Sequence, residues 1–111
     1  MMTKGTGKAT QKLINAEAEA MYERATEEWY TTDDEIIERL RTCTAWVIET
    51  KNWYILRSYN TIIGCINKET KIGYDLLRYV YGFTSTSSQH MAKFLSDYGD
   101  RRKVYTWRSA D

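Results

Sequence analysis

Proline is missing from this chain, and cysteine and histidine nearly so: there are two Cys and one His among 111 residues. Cys43 and Cys65 stand apart with no Cys-x-x-Cys pair, and His90 is the only imidazole. A zinc site therefore lacks enough nitrogen and sulfur ligands, and no disulfide framework is implied. Neither a metal nor another cofactor is expected, and both cysteines read as small buried hydrophobes. The chain also lacks any apolar run near the roughly 20 residues that cross a bilayer. Its opening, MMTKGTGKAT, has no signal-peptide stretch. The expectation is a cytoplasmic protein without a membrane segment.

Aromatic side chains are plentiful: nine Tyr, four Trp and two Phe. They favour a β-containing core or an adhesive surface over a simple helix bundle. A chain of this length fits one domain, which buries about two-thirds of its unfolded surface. Residues 1–9 read as a flexible tail of lysines and glycines, followed by one α+β domain over 10–111. The GTGK in that tail matches only the end of a phosphate loop. Met2 occupies the place of the loop's first glycine, and no strand precedes it. The formal net charge of +1 hides a segregation: residues 1–14 carry +3, residues 15–50 carry −7 and residues 51–111 carry +5. An acidic helical part and a basic β-rich part can complement each other or meet different partners.

From Thr10 to Tyr30, the residues Ile14, Ala18, Met21, Ala25 and Trp29 recur at steps of three and four, widened by Leu13 and Tyr22. That spacing predicts an amphipathic helix whose stripe faces the sheet or a second copy of the chain, as a homodimer seam. Its acidic back, including Glu23 and Glu27, is a solvated face or a partner-binding one. In TTDDEIIERLRTC, Thr32 and Glu35 fit a capping box, which predicts a second short helix burying Ile36, Ile37 and Leu40. After Cys43 come TAWVIE, WYILRS, TIIGCIN, LLRYVY and KVYTW, read as about five antiparallel strands joined by short polar turns. Leu76, Leu77 and Val80 also satisfy helix spacing, but the two Tyr and the Val favour strand. In WYILRSY both faces are partly apolar, so the sheet is covered on both sides or offers one to a partner.

The hydroxyl-rich run before His90 contains a further capping box, Thr86 with Gln89. Met91, Phe94, Leu95 and Tyr98 follow on one face, and Gly99 stands where a left-handed terminal residue is expected. This predicts a helix over Ser85 to Tyr98, inserted before the last strand. His90 sits at the margin of its buried face, where neighbours on one helical turn do not form a nucleophile–base pair. Catalysis is therefore not expected. The helix start, its hydroxyls, His90 and Arg78 on the preceding strand would suit an anion such as phosphate. Arg101, Arg102 and Lys103 favour the helix C-terminal end, or join Lys93, Arg57, Arg78 and Arg108, with Tyr59 and other Tyr and Trp between the charges, in a basic–aromatic surface of the sort that binds single strands.

Ser58, Tyr59 and Thr61 form a Ser-Tyr-x-Thr hairpin, and Ser85 to His90 form a Ser/Thr-rich helix start ending in His. Over about residues 46–98 the chain resembles small proteins of bacteriophages, plasmids and integrative elements, a group without an assigned activity. That resemblance implies a non-enzymatic binding protein in a bacterial host cell, of the anti-CRISPR kind. Its implied partner is a defence effector of the Cas nuclease type, contacted directly. A small nucleic-acid-binding or regulatory protein is the alternative.

Overall fold

The steps of three and four become a 24-residue helix, α1 (Lys8–Thr31), in the computed structural model, which describes residues 8–40, 45–80 and 85–109. Lys8 and Ala9 thus belong to a helix rather than to a tail, and the rest of the expected tail lies outside the described residues. Ala18 and Ala25 are fully buried, and Met21, Tyr22 and Trp29 pack half-buried beside them. Leu13, expected on the same stripe, is 72 % exposed.

Six strands follow in chain and spatial order: β1 (Glu35–Arg39), β2 (Ala45–Glu49), β3 (Trp53–Ser58), β4 (Thr61–Asn67), β5 (Gly73–Asp75) and β6 (Val104–Thr106). All neighbours are antiparallel except β5 and β6. A parallel pair needs a long crossover. Here it contains α2 (Leu77–Val80) and α3 (Ser85–Tyr98), the second with the bounds expected from sequence.

Two expectations are corrected. The second short helix does not form, because Glu35–Arg39 is an edge strand. Thr32 caps backward instead: its N–H and hydroxyl both donate to the Glu28 carbonyl and close α1. Two adjacent β-branched residues in a segment too short for an independent helix pair more favourably with β2. Likewise residues 76–80 of LLRYVY form no strand, and Tyr81 lies outside the described residues. The Asp75 carboxylate accepts from the Leu77 N–H, and the Leu76 carbonyl accepts from Tyr79 and Val80, so a helical turn starts there. Local capping outweighs the β preference of Tyr and Val.

Side chains directly opposite each other in an antiparallel pair share a face. One row on the α1 side is Ile36, Ile48, Ile55, Cys65 and Tyr74, with Tyr105 continuing it on β6. A row on the α3 side contains Val47, Leu56 and Gly64. Trp53, Ile62 and Leu76 join the first layer, while Ile63, Leu77, Met91, Phe94 and Leu95 join the second. The sheet is therefore buried on both faces, which is why its strands do not alternate cleanly. A Cβ on Gly64 would lie 2.7 Å from Met91 Cε, and one on Gly73 would lie 2.5 Å from Leu95 Cδ2, so both glycines let α3 come close. Gly99 does not take the left-handed conformation; its place is tight because a Cβ would meet Ile66 at 3.1 Å.

Polar clasps orient α1. Asn15 is buried and exchanges hydrogen bonds with the Arg108 backbone, donating at 2.6 Å and accepting at 3.0 Å. Gln11 donates to the Thr106 carbonyl, and Glu19 accepts from the Trp107 indole at 2.7 Å. Near the other end, the Glu28 carboxylate accepts from the Thr50 hydroxyl and from both the backbone and side-chain amides of Asn52. Burial alone would raise the Glu28 pKa, but these bonds and the nearby Lys51 outweigh it and hold the carboxyl below its usual range.

Candidate functional site

With both faces covered, the exposed apolar surface that remains is localised. Six large apolar side chains are exposed among the described residues, and four of them, Tyr30, Ile36, Ile37 and Tyr59, come from the end of α1, from β1 and from the β3–β4 turn. The helix α1 packs chiefly over β4, β5 and β6, which leaves the β1–β2 side of that face less covered.

The register assembles a charged aromatic row there. Arg39 pairs with Trp46 across β1 and β2, and Trp46 pairs with Arg57 across β2 and β3. The Arg57 guanidinium lies 4.6 Å from the Trp46 ring centroid and 5.8 Å from that of Trp29, so α1 and β2 clamp it between indoles. Tyr30 extends the cluster, its ring 4.9 Å from Trp29. The Arg57 Nε–H is buried with no hydrogen-bond acceptor among the described residues. Neither Arg39 nor Arg57 takes part in a salt bridge among those residues.

Tyr59 sits in the two-residue turn just beyond Arg57, with φ of 52° and 57 % of its surface exposed. A bulky side chain in the left-handed region is strained. Tyr59→Gly is therefore expected to stabilise the fold by about 1 kcal/mol in urea unfolding. An unchanged or lower stability would mean that the tyrosine ring contributes packing that offsets its strain.

The other residues singled out from sequence are dispersed. Arg101, Arg102 and Lys103 precede β6, at the opposite edge of the sheet and beside the row that passes through Glu49, Tyr54, Ile66 and Gly73 to Val104, not the row of Arg57. Arg102 is also engaged by Asp100, from 3.2 Å. Glu23 and Glu27 lie exposed on the outer side of α1. Arg78 belongs to α2, not to a strand, and lines a cleft of about 190 Å³ with Asp75, Ser88 and Met91. Burial raises the Asp75 pKa, only partly offset by the Leu77 amide and by Arg78 and Arg108. A carboxylate in that cleft opposes the anion site expected at the start of α3. The single basic–aromatic surface is thus not assembled: only Arg57 and Tyr59 share a corner.

His90 is buried in α3, not marginal, and burial lowers its pKa. The folded protein then binds its proton less readily than the unfolded chain. The His90 contribution to stability is complete above about pH 6.5 and is lost as pH falls through the lowered folded value. Urea unfolding at pH 7.5 and 5.2 is expected to show a loss that His90→Gln largely removes; an equal loss in the variant would assign it to other groups. Cys65 is fully buried, and burial pushes its thiol well above the usual range, so it behaves as an unreactive core residue. Cys43 lies outside the described residues. No group of three or more His, Cys, Asp or Glu that could hold a metal occurs among the described residues, and no helix among them is long and apolar enough to cross a membrane.

Sequence reasoning named Arg57 and Tyr59 but missed Trp29, Trp46 and Arg39 as their companions. The available signal was the alternation of TAWVIE against WYILRS, which puts Trp46 opposite Arg57 once a short turn is assumed. Comparison with protein-family models, with curated proteins and with solved structures finds no match to this chain.

Proposed function

We propose that this chain is a non-catalytic binding protein that docks on a larger protein through the Trp29, Trp46, Arg57 and Tyr59 corner. The observation that carries this reading is the concentration of exposed aromatic and aliphatic side chains around an arginine clamped by two tryptophans. Trp, Tyr and Arg are the residue types that dominate binding energy at protein interfaces. Following the resemblance to phage and mobile-element proteins, the partner we propose is a bacterial defence effector of the Cas nuclease type, blocked by direct contact. The dispersal of Arg78 and Arg101–Lys103 gives the nucleic-acid alternative no comparable surface.

The test is DNA cleavage by a panel of reconstituted CRISPR effectors with and without the purified protein. Inhibition of at least one effector, weakened about tenfold or more by Trp46→Ala, is the expected result. Inhibition that Trp46→Ala and Tyr59→Gly leave intact would remove the corner from the interface, and no inhibition across the panel would remove the nuclease partner.

A further inference from the structure

The helix α1 carries a second stripe on the side away from the sheet. Leu13, Ala16, Ala20, Glu23, Glu27 and Tyr30 follow one another at steps of three and four, opposite the buried stripe, and all six are exposed. A solvated helix face normally carries long polar side chains. Here two alanines stand in its middle, and Leu13 and Tyr30 at its ends are 72 % and 75 % exposed, more than any other large apolar side chain among the described residues. The charges on this face are ordered along the helix. Lys12 lies at its N-terminal end and Glu23 and Glu27 toward its C-terminal end, while Glu17 and Arg24 flank one side, two turns apart. None of these five residues takes part in a salt bridge among the described residues. Glu17 and Arg24 are separated by about 10 Å of helix, too far to pair within one chain.

We propose that this face is the seam of a symmetric dimer, in which α1 of a second copy lies antiparallel on α1 about a two-fold axis near Ala20. The charge order sets the arrangement. In an antiparallel pair centred there, Glu17 meets Arg24 of the second copy, Lys12 comes within a turn of its Glu27, and Leu13 comes within a turn of its Tyr30. The axis repeats each contact. A parallel pair would instead set Glu23 beside Glu23 and Glu27 beside Glu27, which like charges disfavour. Ala16 and Ala20 near the axis let the two helices approach to about 8 Å, the close end of the usual range. An anionic partner such as a nucleic acid strand is repelled by Glu23 and Glu27, whereas the face is complementary to itself. The seam uses none of Trp46, Arg57 and Tyr59, so it goes beyond the docking reading and does not depend on it.

Sedimentation equilibrium of the full chain tests the seam, with a dimer expected at about 100 μM. Ala20→Glu places like charges together at the axis, on an exposed helical position that accepts glutamate. It is expected to weaken association about tenfold or more while the helical circular dichroism stays unchanged. Glu17→Arg sets an arginine against Arg24 of the second copy and is expected to weaken association about three- to tenfold. Adding Arg24→Glu restores opposite charges across the axis and should recover the wild-type association. Trp46→Ala should leave the mass unchanged. The proposal is overturned by a monomer up to about 100 μM, by a dimer that Ala20→Glu leaves intact or that Trp46→Ala dissociates, or by a charge-exchanged double variant no tighter than Glu17→Arg alone. A monomer that gains mass only when a CRISPR effector is added also overturns it and gives this face to the effector. Failure here is separable from failure of docking. A monomeric Ala20→Glu protein that still inhibits a nuclease leaves docking standing, and a dimer that inhibits no effector leaves the seam standing.

Discussion

Phe94→Ala is expected to remove about 3–5 kcal/mol of folding free energy, the usual cost of deleting a buried phenyl ring whose cavity cannot collapse. Phe94 is fully buried in the layer between α3 and the sheet, with Leu56, Ile63 and Leu77 in the same cluster and the Tyr98 ring 5.9 Å away. Tyr98 itself is tied down by its hydroxyl, which donates to Glu38 of β1 at 2.7 Å, so the helix cannot slide freely into the vacated space. Domains of this size are stable by about 5–15 kcal/mol, so the variant retains a narrow margin at best. Urea unfolding followed by far-ultraviolet circular dichroism measures the loss. A cost below about 1 kcal/mol would mean that α3 is not packed on the sheet as described.

The second large effect belongs to the opposite face. Trp53→Ala is expected to cost about 3–5 kcal/mol, because the indole is only 4 % exposed and lies in the layer under α1, 6.3 Å from the Tyr74 ring. Trp53 and Phe94 fall in different clusters on opposite sides of one sheet. Losses at such sites add when they share no partner. The double variant is therefore expected not to fold. A double variant no less stable than either single one would show that the two layers are coupled, with loss of one already loosening the other. Both variants lie away from the Arg57 corner, so whatever binding survives at low temperature should retain its dependence on Arg57.

Much of the fold is legible from residue spacing. The stripe from Ile14 to Trp29 and the Met91, Phe94, Leu95 and Tyr98 face each repeat at helical steps, and WYILRS and TIIGCIN are bounded by polar turns; all four elements form where that pattern puts them. Two segments were misread for the same reason. EIIER and LLRYVY are short, and each carries apolar residues compatible with both periods, so neighbouring groups decided them. Pairing with β2 extended the first, and the Asp75 cap coiled the second. The clasps were illegible as well: Glu19 and Glu28 look like any other acid on the solvated back of α1, and only their distance to Trp107, Thr50 and Asn52 distinguishes them.

The candidate site divides along the same line. Sequence alone determined most of the local elements, the abundance of aromatics and the charge segregation, because each depends on composition or on neighbours within a few positions. It also picked out Arg57 and Tyr59. Tertiary structure alone decided that Arg57 is clamped by Trp46 from the adjacent strand and Trp29 from a helix 28 positions away. It separated Arg101–Lys103 from that corner, at the opposite edge of the sheet. Those outcomes depend on strand order, register and where a single helix of finite length stops covering a six-stranded sheet. Such quantities come from contacts between residues distant in sequence, and no local pattern encodes them.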